Sequence, residues 1–267
     1  MLQKGYVNTT QGQVHYRTEG DGEPLLLFHM SPLCSLEFSA MMPFLGRQYR
    51  VVAPDMLGHG ESSDPPREYT FDEYAEATLQ FMDAMGIKKA HLGGNHTGGA
   101  IALYLAVQHP ERVDKLLISG ECLTSRDRIL AAIESLKKSR LSRDLPMDEE
   151  GRFLVEAWAR YKPLAPNAPL PVRYRSFVIG LSARLRPYDV HMAVYLGMLE
   201  DDRLPKVKQP MLIYSGDRDL FFDKSVMDRA GKSLPTCRTA IIEGAGAMIC
   251  FEKPEELSKV FLDFLGT

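Results

Sequence analysis

The chain has 267 residues, 45% of them hydrophobic and 25% charged, with a formal net charge of -3. That balance suits a globular protein with a full core and argues against a basic surface for nucleic acid or anionic membrane. No apolar stretch is long enough to span a bilayer, and the first residues lack the apolar run of a signal peptide, so a cytoplasmic location is expected.

Segments 3–8 and 14–18, parted by polar turn residues, read as a hairpin of edge strands. The continuous apolar run 25–28 reads as a buried parallel strand. A helix is expected over 35–45, and a strand over 50–53 that ends in the loop chemistry of 54–60. Helical spacing covers 70–85, with Thr70 and Glu73 placed as a capping box. A strand at 90–93 runs into the glycine-rich 94–99. A helix then spans 100–108, stopping before Pro110, and a strand follows at 113–119. From 121 to about 205 the text is helical, rich in Arg, Leu and Pro, with no clean strand. Alternation resumes with strand 211–214, helix 224–234, strand 239–242 and helix 255–264. The expected fold is α/β: a mostly parallel central sheet with helices on both faces. Residues 1–120 and 206–267 form its core, and 121–205 form an inserted helical cap. No internal repeat or low-complexity tract interrupts this order.

Five segments in this order resemble the α/β-hydrolase superfamily, over nearly the full length apart from the cap. Leu26-Leu27-Phe28-His29-Met30-Ser31-Pro32 resembles the strand and oxyanion loop written His-Gly-x-Pro. Residues 53–62, from Ala53 and Pro54 through Gly58-His59-Gly60 to Ser62, match the Asp-x-x-Gly-x-Gly-x-Ser loop. Gly94-Asn95-His96-Thr97-Gly98 resembles the nucleophile elbow Gly-x-Ser-x-Gly. Tyr214-Ser215-Gly216-Asp217-Arg218-Asp219 resembles the loop of the catalytic acid, and Glu243-Gly244-Ala245-Gly246-Ala247-Met248 that of the catalytic histidine.

The departures matter as much as the matches. Laid on the family pattern, the nucleophile position is His96 and the catalytic-histidine position is Ala247. The acid position is Asp219, with Asp217 second, and the oxyanion-loop glycine is Met30. A Ser-His-Asp acyl-enzyme mechanism does not carry over. For Ala247 two explanations stand: natural loss, or deliberate replacement of a histidine of the kind used to trap a ligand.

The elbow holds its central residue in a strained turn, and Gly94 and Gly98 flank it because side chains there would clash. Histidine is among the residues enriched at positive φ, so it is admissible at this corner. Its side chain is expected to point into the pocket beneath the cap. The adjacent helix N-terminus disfavours a positive imidazole, while a nearby Asp219 carboxylate favours one. A neutral imidazole beside a carboxylate is a general base. Backbone N–H groups of Thr97 and of the Met30 region are the expected oxyanion donors.

Around this centre the substrate-pocket candidates are His29, Glu121, Trp158, Met192 and Tyr195. Glu121 is also a backup acid for His96. His29 has a packing and hydrogen-bonding alternative, and the aromatic and Met residues of the insert have cap core as theirs. His15, His59, His91, His109 and His191 read as structural. Cys34, Cys122, Cys237 and Cys250 show no CxxC or metal spacing, and Cys34 and Cys122 sit at no activated position. No metal-ligand triplet, phosphate loop or dinucleotide fingerprint is present, so no cofactor is expected.

Two functions remain open. One is a cofactor-independent hydrolase or lyase acting on a small carbonyl compound, ester-like or at a C–C bond, with His96 as base or nucleophile. The other is a non-catalytic ligand-binding protein on a degenerate fold. The expected partner is a small, partly apolar molecule; a homodimer is also admissible.

Overall fold

Alternating side chains of the central strands feed two separate cores. Leu26 and Phe28 pack in one, Leu25 and Leu27 in the other; Ile118 and Ile213 join the first, Leu117 and Leu212 the second. Period-2 alternation with both faces apolar requires a sheet covered on both sides. The computed structural model, which describes residues 1–120, 125–143, 148–183, 186–188, 190–200 and 203–266, has that form.

The sheet has eight strands: β1 Gln3–Thr9, β2 Gly12–Glu19, β3 Glu23–Phe28, β4 Tyr49–Pro54, β5 Ala90–Asn95, β6 Val113–Ser119, β7 Met211–Gly216 and β8 Cys237–Ile242. Their order is β1-β2-β4-β3-β5-β6-β7-β8. The β1–β2 and β2–β4 pairs are antiparallel and all others parallel. The chain winds one way from β3 to β4 and the other way to β5. The β3/β5 crevice is therefore the topological switch point, where ligands of open α/β sheets bind.

Helices α1 Met42–Leu45 and α10 Pro254–Leu265 contribute to one core; α2 Phe71–Ala84, α3 Thr97–Gln108 and α8 Lys224–Ser233 contribute to the other. The α2 capping box forms as the sequence predicts, with Thr70 and Glu73 satisfying each other's backbone amides. A short α9, Ile249–Glu252, follows β8. The single helix expected over 35–45 does not form. A 3-10 turn, Ser35–Phe38, and the separate α1 replace it. The Ser35 amide donates to Asp55 at 2.7 Å, and Pro43, lacking an N–H, begins a new helix rather than continuing an old one.

Between β6 and β7 the described residues form α4 Arg126–Arg143, α5 Arg152–Tyr161, α6 Leu170–Ala183 and α7 Val190–Glu200. Trp158, Tyr161 and Phe177 of α5 and α6 pack with Met30, Leu33 and Met248, so the insert rests on the loops that follow β3 and β8. No described helix is long and apolar enough to cross a membrane.

Candidate active site

The β5–α3 connection turns so sharply that His96, between Asn95 and Thr97, adopts φ 49°, ψ −114°. It is the sole non-glycine residue at positive φ among the described residues. Such a conformation costs on the order of 1–3 kcal/mol and persists only where the surroundings impose it. They do so here. A Cβ on Gly98 would strike the Phe28 carbonyl, so α3 can start against β3 only with glycine there. Gly120, at φ +88°, lies so close to the imidazole that an added Cβ would be 2.6 Å from its Cγ. Phe221 meets the same ring edge-on at 5.4 Å.

Asp219, on the loop after β7, brings Oδ2 within 3.3 Å of His96 Nε2, and both side chains are 2% exposed. The Phe221 amide donates to Asp219 Oδ1 at 2.9 Å. Burial raises the Asp219 pKa, but the imidazole and the Phe221 and Phe222 amides outweigh it and hold the carboxyl below its ordinary range. Asp217, the second choice for the acid, is exposed and accepts the Gly244 amide at 2.7 Å; it anchors a loop instead.

The oxyanion loop departs from expectation. The Met30 amide donates to Glu37 Oε2 at 2.8 Å, and the Ser31 amide donates to Thr97 Oγ1 at 2.7 Å. Both N–H groups are consumed inside the protein, so Met30 does not serve as a donor. Thr97 is different. Its amide opens α3, where an α-helix offers no i−4 acceptor.

Glu37 is the residue the sequence did not point to. It is fully buried and also accepts from Asn95 Nδ2 at 2.5 Å. Asn95 in turn accepts from the Tyr214 hydroxyl and donates to Cys250 Sγ at 3.0 Å. Burial lifts the Glu37 pKa to about 7, against the opposing pull of Asn95, the Met30 amide and His96. A buried carboxyl thus ties the oxyanion loop to the residue before His96. Its partners lie far from it in sequence, which is why no local motif announces it.

Ser31 is a second unforeseen centre. Its Oγ lies 2.9 Å from His59 Nε2, and its carbonyl accepts from His191 Nε2 at 3.1 Å. The link from α7 of the insert to this loop has no sequence signature.

Several pocket candidates have other roles. His29 is fully buried; its Nε2 accepts the Met56 amide at 3.0 Å, so Nδ1 carries the hydrogen donated to the Met30 carbonyl. It is a tie between loops, and burial lowers its pKa. Trp158 stacks on Tyr174 at 4.7 Å and meets Phe177 edge-on, inside the aromatic cluster of the insert. Met192 and Tyr195 pack with Ile129 and Ile133 of α4, which is helix-to-helix packing. Glu121 and Cys122 lie outside the described residues. The Cys34 thiol is pushed up to about 12, chiefly by burial, which disfavours the thiolate.

At the other corner Ala247 is 2% exposed. The adjoining Met248 is fully buried among Met30, Leu33 and Tyr161, and its amide donates to the Leu164 carbonyl at 3.3 Å. The Gly246 amide donates to Glu252 at 2.8 Å. The loop is closed by apolar packing, one backbone bond and the Glu252 carboxylate.

Known proteins share this frame. The family pattern described as alpha/beta hydrolase fold matches residues 23–254. A 2-hydroxymuconate semialdehyde hydrolase of Pseudomonas sp. (strain CF600) is 41% identical over 105 residues, 38% of this chain and 37% of that one. Haloalkane dehalogenase 2 of Mycobacterium bovis is 28% identical over 177 residues, 61% of this chain and 62% of that one. The matched stretches therefore span less than two thirds of these relatives. Among solved structures, a thermophilic esterase from Thermogutta terrifontis has a TM-score of 0.76 at 24% identity, covering 99% of this chain and 98% of that one, which speaks to the fold alone.

Proposed function

Since the chain belongs to the alpha/beta hydrolase fold family, we propose that it is a cofactor-independent hydrolase or lyase of a small carbonyl compound, with His96 as its base. In this reading His96 takes a proton from water as the oxygen adds to the carbonyl carbon. Asp219 balances the charge that develops on the imidazole, and the Thr97 amide receives the oxyanion. The proton then passes to the leaving group as the ester-like or C–C bond breaks. Proton transfer of this kind contributes roughly 10²–10⁴-fold, and one backbone donor about 10²–10³-fold. The observation that carries the reading is the strained elbow presenting an imidazole to a carboxylate 3.3 Å away. The names of the relatives, a semialdehyde hydrolase and a dehalogenase, support hydrolytic chemistry.

The test separates turnover from binding. Short-chain p-nitrophenyl esters serve as substrates, and a non-hydrolysable ketone analogue as the binding probe. His96→Ala is expected to lower turnover roughly 10²–10⁴-fold while leaving the analogue bound. Unchanged turnover would remove His96 from the chemistry.

A second reading, a ligand-binding protein on a degenerate site, draws on the apolar setting of Ala247 and the consumed Met30 amide. It expects no ester turnover in the wild type and at least a hundredfold gain over background in Ala247→His.

A further inference from the structure

Away from the elbow, α3, α4, α7 and α8 line a half-open cavity of about 570 Å³, and none of His96, Asp219 or Ser31 lines it. That volume lies within the usual range of small-molecule pockets. Its walls include Leu103, Ile129 and Val226, and its charged groups are Arg126, Arg203 and Arg229. No carboxylate lines it among the described residues.

Arg203 is the informative member. It is 7% exposed, and its guanidinium lies 5.2 Å from the Phe71 ring centroid and 5.0 Å from that of Tyr104. One nitrogen donates to the Gly197 carbonyl, while Nε is buried with no hydrogen-bond partner among the described residues. A buried donor left without an acceptor costs free energy, more so in a charged group. Two aromatic faces hold the guanidinium in place but accept no hydrogen bond along its edge. Arg126 donates to the Leu199 carbonyl and has no carboxylate partner among the described residues. The third arginine differs, because Asp223 faces both Arg128 and Arg229 and offsets their charge.

We propose that this cavity is a second binding site, for a small amphipathic monoanion: an organic carboxylate whose apolar body fills the Leu103 side and whose head meets Arg203 and Arg126. The planar fork of arginine suits a carboxylate, and the apolar walls suit a hydrocarbon chain. The site is independent of the reaction at the elbow.

Isothermal titration with decanoate, and with decanol as the uncharged comparator, tests it on the whole protein. Decanoate is expected to bind at one site, at least tenfold more tightly than decanol. Arg203→Met is expected to weaken decanoate at least tenfold, and Leu103→Trp, which fills the cavity, to abolish binding. Circular dichroism melts establish that each variant is folded; should Arg203→Met not fold, Arg126→Met and Leu103→Trp carry the test. His96→Ala is expected to bind decanoate as the wild type does. The proposal is overturned if the wild type binds no decanoate, if Leu103→Trp binds it unchanged, or if His96→Ala loses it.

Discussion

The two loops that the family pattern marks for catalysis, at His96 and at Ala247, differ in what surrounds them. At the elbow corner three groups close on an imidazole: Gly120 backs it, Phe221 meets its edge, and Asp219 stands at Nε2. At the corner of Ala247 the neighbouring side chain is Met248, packed under the insert with Met30 and Tyr161. One corner spends stability on a strained, polar arrangement; the other gains it from burial. A residue in a costly conformation needs surroundings that impose it, and an apolar loop needs none. In the proposed reading the chemistry belongs to His96 and the other loop to packing.

Four changes sharpen or break that contrast. Met248→Ala should act on stability alone. A fully buried methionine cut to alanine costs about 2–5 kcal/mol, read from urea midpoints, while turnover of the folded protein stays within twofold.

The pH dependence of stability reports on Glu37, beneath the elbow. Its pKa is raised from 4.5 to about 7 by burial, so the native state holds its proton more tightly than the unfolded chain. Its favourable contribution is complete below the ordinary carboxyl range and is lost as pH rises towards 7, by about 3 kcal/mol. Asp219 and Asp55, both lowered, give the opposite slope, contributing above their ordinary range and losing that contribution in acid. Urea midpoints from pH 4.5 to 8 should therefore fall in the wild type and flatten in Glu37→Gln.

Gly120→Ala attacks the polar corner by sterics. A Cβ 2.6 Å from the imidazole Cγ, at φ +88°, combines overpacking with a left-handed backbone. Together these cost about 2–3 kcal/mol, with loss of turnover beyond what stability explains. Asp217→Ala is the mild control. Its exposed bond to the Gly244 amide is worth about 1 kcal/mol, and turnover should not change.

Much of this was legible in the sequence where periodicity and turn chemistry act locally. The alternation around 25–28, the Thr70–Glu73 box and the glycines of the elbow depend on neighbours in the chain. Asp219 emerged over Asp217 because motif order is also sequential, and the structure separates the two by giving Asp217 to Gly244. What was not legible is long-range. Glu37 reaches Asn95 and Met30, Ser31 meets His59 and His191, and the expected helix over 35–45 broke because Ser35 is drawn to Asp55. Buried polar ties of this kind follow from three-dimensional proximity and leave no period in the text. The roles of Trp158, Met192 and Tyr195 were undecided for the same reason, since a hydrophobic helix face does not say whether it meets a neighbour or a ligand.

A kinetic double-mutant cycle tests the pairing of His96 with Asp219 most directly. kcat/KM would be measured for His96→Ala, Asp219→Ala and the double variant. Residues that act as one unit are not additive. The expected result is a loss of roughly 10²–10⁴-fold for His96→Ala, with the double variant no slower than His96→Ala alone. Losses that multiply, or a His96→Ala variant as fast as the wild type, would contradict the pairing.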